Sequence, residues 1–249
     1  MCTLTFIPKS SGYLLGMNRD ESVRREKSQW PLVLEERGVA VAYPREGSTG
    51  GTWIATNSSG ITLALLNQNR GPSAGPKLRS RGFVIPSLVH SPSMKELVEG
   101  FHQLDLNGMM PFLLVAFFPK EKMIAEWKWD SSFLQLRPFT WRQRNWFSSG
   151  ISDSIATQVR GAFLQDAVRR RDAGSADWLR RVHASHAPVR GSFSVCVHRP
   201  EAESVSYTEI EHTATQTRLY YHAGRPCEAL GQFDKEILLG SPHLLSAAS

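Results

Sequence analysis

Residues 1–21, MCTLTFIPKSSGYLLGMNRDE, carry a hairpin signal with a cysteine at its start. Thr3 to Ile7 read as a strand, Pro8 to Gly12 as the turn, and Tyr13 to Met17 as the return strand. Pairing of Ile7 near Gly12 or Tyr13 brings Cys2 opposite Met17 or Asn18, with Asn18-Arg19-Asp20-Glu21 beside the chain start. A small second residue permits removal of the initiator methionine, so the mature chain is expected to begin at Cys2. One residue then carries a thiol and a free α-amine, with pKa values near ~8.5 and ~8, so the amine can serve as base to its own nucleophile. The same residues also suit a small buried cysteine beside a polar strand end with an ion pair.

A second informative stretch is TWIATNSSGITLALLNQNR, residues 52–70. Two strands, 53–56 and 61–66, are joined by Asn57-Ser58-Ser59-Gly60, a turn rich in residues that accept positive φ. Asn67 follows the second strand, and Asn69 and a Gly/Pro-rich loop come next. An amide N–H from Asn67 near Cys2 would stabilise a developing oxyanion. Asparagines at such a place also simply close a strand and start a turn. Gly50-Gly51, just ahead, suits unusual backbone angles or close approach to another segment.

Helical patterns follow at 82–89 and 93–104, the latter with Ser93 as N-cap and Glu96 closing a capping box. Arg81, at the first of these, is a candidate for an anionic ligand group. Phe112 to Phe118 reads as a buried strand, and 123–129 and 133–136 continue a sheet. Trp141 to Phe147 mixes cations and aromatics without a nucleic-acid motif, so no nucleic-acid partner is expected. Helices are expected over 156–171 and 175–186. His183 and His186 lie three apart on the second, but no clustered ligand set accompanies them, and no metal is expected. Strands are expected at 189–197, 205–210 and 217–221, with Cys196 and Cys227 structural, and 241–249 as a frayed tail.

With 249 residues, 41% hydrophobic and 21% charged, the chain can build one sizeable core. Three cysteines without metal spacing argue for reduced thiols in a cytoplasmic compartment rather than a disulfide framework. No apolar run approaches the ~18 residues of a membrane span. A net charge of +6 is compatible with acidic partners.

The segment GMNRDES after an N-terminal MCTLTF, with Gly-Gly-Thr-Trp at 50–53, resembles the family named for its Asn-Arg-Asp-Glu tetrad, also called Transport and Golgi organisation 2. That family resembles the cysteine N-terminal-nucleophile hydrolases, including penicillin V acylase and bile-salt hydrolase. The resemblance implies an α+β fold, a four-layer αββα sandwich, as a single domain over 1–249. It implies Cys2 as nucleophile, with Asn18 and Asp20 on matching positions of a Gly-Arg-Asn-x-Asp-like turn. The arginine of that turn falls on Met17, and Arg19 two residues later faces the same way. Asn67 matches an oxyanion-hole asparagine, and Ser149 stands where the hydrolases carry a further asparagine. Arg190 is the nearest match to a substrate-facing arginine. The implied function is a Cys2-dependent amide or acyl hydrolase that requires no cofactor. The alternative is a non-catalytic protein that binds and traffics haem or another acidic amphiphile.

Overall fold

The computed structural model describes residues 2–47, 49–68, 79–229 and 231–240. Met1, Asn69, the loop after it and the tail expected to fray lie outside the described residues.

Strands β1 (Cys2–Lys9) and β2 (Gly12–Ser22) form the expected hairpin in a tighter register. Lys9 pairs with Gly12 across Ser10-Ser11, so Cys2 lies opposite Arg19, not Met17 or Asn18. The turn shortens because Pro8 stays in the strand. On the far side of β1, the ladder to β10 (Arg144–Ser148) runs only from Cys2 to Phe6. Pro8 therefore sits at an edge position, where a missing N–H is tolerated.

The first sheet continues from β2 through β11 (Ala202–His212) and β12 (Gln216–His222) to β13 (Lys235–Gly240), in the order β10-β1-β2-β11-β12-β13. The second runs in sequence order through β3 (Gln29–Glu36), β4 (Val39–Arg45), β5 (Ile54–Asn57), β6 (Thr62–Asn67), β7 (Phe112–Phe118), β8 (Met123–Trp129) and β9 (Leu134–Thr140). Both sheets are antiparallel throughout.

Period-two alternation explains the layering. Leu4 and Phe6 of β1 and Tyr13, Leu15 and Met17 of β2 face the second sheet, meeting Ile54, Ala64, Leu66, Val115 and Phe117. Phe6 stacks on Phe117 with ring centroids 4.8 Å apart, and the Tyr13 hydroxyl donates to the Gly60 carbonyl at 2.8 Å. On the other face of the first sheet, Ile7 and Leu14 meet helices α3 (Asp153–Ala167) and α4 (Ala176–His183) through Leu164, Trp178, Leu179 and Val182. The outer face of the second sheet is covered by α1 (Val84–Leu88) and α2 (Met94–Gln103), with Ile85, Leu88, Leu97 and Phe101 buried. Ser93, Ser152 and Ser175 cap α2, α3 and α4 by accepting from the N–H groups of Glu96, Ile155 and Trp178. The result is the expected αββα sandwich. A last short helix, α5 (Pro226–Ala229), lies between β12 and β13.

One expected strand is absent: residues 189–197 form an irregular loop. Its main-chain groups are satisfied singly rather than by a ladder. The Val195 carbonyl accepts from Asn18, the Val197 N–H donates to Ser204 Oγ, and the Cys196 N–H donates to the Ser185 carbonyl. Val189, at the start of this loop, is exposed to 75% and packs on nothing as a strand residue would. Among the described residues no helix is long and apolar enough to cross a membrane.

Candidate active site

Cys2 is buried in the layer between the sheets and lines a cleft of about 90 Å³. Arg19, Trp53, Asn67 and Arg81 also line this cleft. The β1–β2 register sets Arg19 across from the thiol, and the guanidinium stacks 4.2 Å over the Trp53 ring. Arg19 Nη1 donates to Ser28 Oγ at 2.8 Å, and Nη2 lies 3.4 Å from Glu21. Arg25 extends this network, reaching Glu21 at 3.1 Å and Glu46 at 2.9 Å.

The rest of the cleft comes from the second sheet. Gly50 has φ +72°, and a Cβ on Gly51 would come within 2.8 Å of the Gly82 backbone, so this glycine pair serves both an unusual angle and a close approach. The Thr52 N–H donates to the Gly82 carbonyl at 3.0 Å, which holds the Arg81 segment against the cleft. Arg81 itself donates to the Pro111 carbonyl at 2.9 Å. Asn67, the last residue of β6, is half-buried and has no side-chain hydrogen bond to any described residue.

The main-chain nitrogen of Cys2 donates to Ser148 Oγ at 2.9 Å, because β10 places Ser148 opposite Cys2. Burial pushes the Cys2 thiol above its ordinary range, and nearby positive charge, Arg19 included, opposes that rise. The resting side chain is therefore a thiol, and a proton acceptor is needed before it can attack.

Asn18 and Asp20 alternate to the opposite face of β2, toward the helices. Asn18 donates to the carbonyls of His183 and Val195, both at 2.9 Å, and its Oδ1 lies 2.9 Å from His183 Nδ1. Asp20 Oδ1 accepts from Ser204 Oγ at 2.6 Å, and Oδ2 lies 3.7 Å from Arg160 Nη2. Arg160 is fully buried and also donates to Thr3 Oγ1 at 2.9 Å and to the Cys2 carbonyl at 3.4 Å. Burial raises the Asp20 carboxyl, and the Arg160 guanidinium opposes that rise.

The structure thus gathers Cys2, Arg19, Asn67 and Arg81 around one cleft, which Asp20 also borders although its carboxyl is bonded on the helix side of β2. Asn18 instead staples β2 to α4 and to the loop after it. Arg190 is exposed and lies 3.1 Å from His198 Nδ1, outside the residues that line the cleft. Two contributors were missed in the sequence. Ser148 was passed over for its neighbour Ser149, whose N–H instead donates to Asp153 at 2.6 Å. Arg160 carried a usable signal: it occupies the buried stripe Ala156, Leu164, Ala167 of α3, a place where arginine needs a partner.

A family model described as Transport and Golgi organisation 2 matches residues 1–135. No curated protein sequence matches the chain at a significant level. Among solved structures, a Caenorhabditis elegans ortholog of N-acylethanolamine-hydrolyzing acid amidase is similar, with a TM-score of 0.60 and 11% identity over 84% of this chain and 92% of that one. Two variant forms of the conjugated bile acid hydrolase from Clostridium perfringens give TM-scores of 0.55 and 0.57, each at 12% identity over 96% of this chain and 92% of theirs. At these identities the likeness is one of fold.

Proposed function

The chain belongs to the Transport and Golgi organisation 2 family, and from that footing we propose that it is a Cys2-dependent amide or acyl hydrolase of the N-terminal-nucleophile type. The observation that carries this reading is the setting of Cys2: it lines a cleft and its main-chain nitrogen is held 2.9 Å from Ser148 Oγ. Hydrolysis of the Met1–Cys2 bond by an aminopeptidase turns that nitrogen into an α-amine. The amine takes the thiol proton as Sγ bonds to the substrate carbonyl carbon. Asn67 donates to the oxyanion, and Arg19 and Arg81 orient the acyl group or an acidic end of the substrate. The C–N bond then breaks, and the amine-held proton passes to the leaving nitrogen. Water, deprotonated by the same α-amine, hydrolyses the thioester to an acid and the free thiol.

Asp20 acts from behind the strand, steadying β2 through Ser204 and Arg160. A panel of amides that includes N-acylethanolamines and conjugated bile acids, named for two structural neighbours, tests the reading by amine release. Turnover is expected to fall at least ~10³-fold in Cys2→Ala. Turnover that survives this change sinks the proposal.

A second reading, a carrier for haem or another acidic amphiphile, rests on a neighbouring cavity of about 600 Å³ that shares Arg19 and Arg25 with the cleft. Trp30 and Tyr221, in edge contact at 6.1 Å, offer it an apolar wall, and Lys27 offers a cation, while Arg225 is engaged by Glu203 and Glu228. Haem titration followed by absorbance, with no amide turnover in the same preparation, favours this alternative.

A further inference from the structure

Beyond α4 the chain folds across the helix side of the first sheet as the irregular loop 184–201. Three of its residues, His186, Cys196 and His198, converge with Cys227 of α5, and their four ligand atoms all lie within 4.8 Å of one another. His198 Nε2 is central: it stands 3.0 Å from His186 Nε2, 3.6 Å from Cys196 Sγ and 3.5 Å from Cys227 Sγ. A tetrahedral zinc ion with its usual bond lengths would separate two imidazole nitrogens by roughly 3.3 Å, and a nitrogen from a sulfur by roughly 3.6 Å. The three distances from His198 Nε2 are thus close to the edges of such a tetrahedron, and the remaining three lie within 4.8 Å, with no ion imposed on them. Cys196 is buried and the other three are half-buried, and both cysteines are free thiols.

We propose that His186, Cys196, His198 and Cys227 bind one Zn²⁺ ion as a structural Cys₂His₂ site, separate from the Cys2 cleft. Two thiolates and two neutral imidazoles fill a tetrahedral shell and leave no open position, the pattern of a structural rather than a catalytic zinc. Binding releases both thiol protons to solvent, and the two thiolates balance the charge of the ion.

The ion would fasten together the end of α4, the loop and α5. That clamp bears on the nucleophile's strands. The same loop offers the Val195 carbonyl to Asn18 and the Ser192 carbonyl to Arg160 Nη2 at 3.4 Å. Arg190 is set against the site, since its guanidinium donates toward His198 Nδ1. A metal on Nε2 leaves the ring proton on Nδ1, so Arg190 must turn away, which its exposure allows. The ligands are too scattered in sequence, at 186, 196, 198 and 227, to form a motif.

The test is elemental analysis of the full chain, purified without a polyhistidine tag from zinc-supplemented cells. About one zinc per chain is expected, kept in Cys2→Ala and Arg190→Ala and mostly lost in Cys227→Ser and His198→Gln. Because those last variants can fail to fold, the native chain is also stripped with a chelator and titrated with Co²⁺. Sulfur-to-cobalt charge-transfer absorption and strong tetrahedral d–d bands should saturate near ~1 equivalent and vanish on adding zinc. Less than ~0.1 equivalent of zinc with no cobalt–thiolate band, zinc retained in Cys227→Ser, or a Cys196–Cys227 disulfide in protein handled under reducing conditions overturns the proposal.

Discussion

Asp20 and Arg160 form an ion pair, 3.7 Å from Oδ2 to Nη2, with neither side chain exposed to solvent. It joins the helix-facing side of β2 to α3 and, through Thr3 and the Cys2 carbonyl, braces the start of β1 from behind. Removing the guanidinium strands a buried carboxylate. Arg160→Leu is expected to cost about 3–5 kcal/mol in urea denaturation, and pairing it with Asp20→Leu to recover part of that loss. A cost under ~1 kcal/mol would show that the pair does not hold the strand.

Ser148 fixes the nitrogen that the mechanism uses as base. Ser148→Ala removes one hydrogen bond to it. The expected result is a drop in kcat of about tenfold, with KM nearly unchanged and the fold intact by circular dichroism. An unchanged kcat would remove Ser148 from the account.

How much of this could be read from the chain depends on the range of each interaction. The hairpin, the helix capped by Ser93 and the buried β7 were legible because their signals are local: alternation, a serine before an apolar stripe, an apolar run. The register of Cys2 was missed by one to two residues because the turn length was judged from Pro8, whose place at a sheet edge depends on how far β10 reaches. Arg19 on the same face as Met17 followed from strand parity alone. Ser148 and Arg160, at 146 and 158 residues from Cys2, reach it through tertiary contacts; the stripe of α3 marks Arg160 as buried but not what it meets. The loop 189–197 read as a strand because a run of alternating residues looks the same whether or not a partner strand exists.

Asn67 ends β6 at the cleft with its side chain uncommitted to any described residue. If it stabilises the oxyanion, Asn67→Ala should lower kcat by ~10²–10³ with little change in KM. Loss confined to KM would mean that Asn67 contacts the substrate equally in ground and transition states.

His183 is fully buried and its pKa is pushed down to about 3 by burial, while the unfolded chain binds a proton near the ordinary 6.5. The folded pKa lies below the unfolded one, so between these values the unfolded state holds more protons. Stability from this group is complete above about pH 6.5 and is lost as pH falls toward 3, at up to ~1.4 kcal/mol per pH unit. Thermal melts between these limits should show Tm falling with acidification, and His183→Gln should flatten the slope. An unaltered slope in a folded variant would contradict the assignment.

The central claim, that Cys2 is a living N-terminal nucleophile, is tested most directly by intact mass after exposure of the native chain to an acyl-β-lactam probe, with Cys2→Ala alongside. The expected product is a chain that has lost Met1 and carries a single acyl group, mapped to Cys2 and absent from the variant. A chain that retains Met1, or one whose Cys2 stays unmodified while the protein is folded, would contradict it.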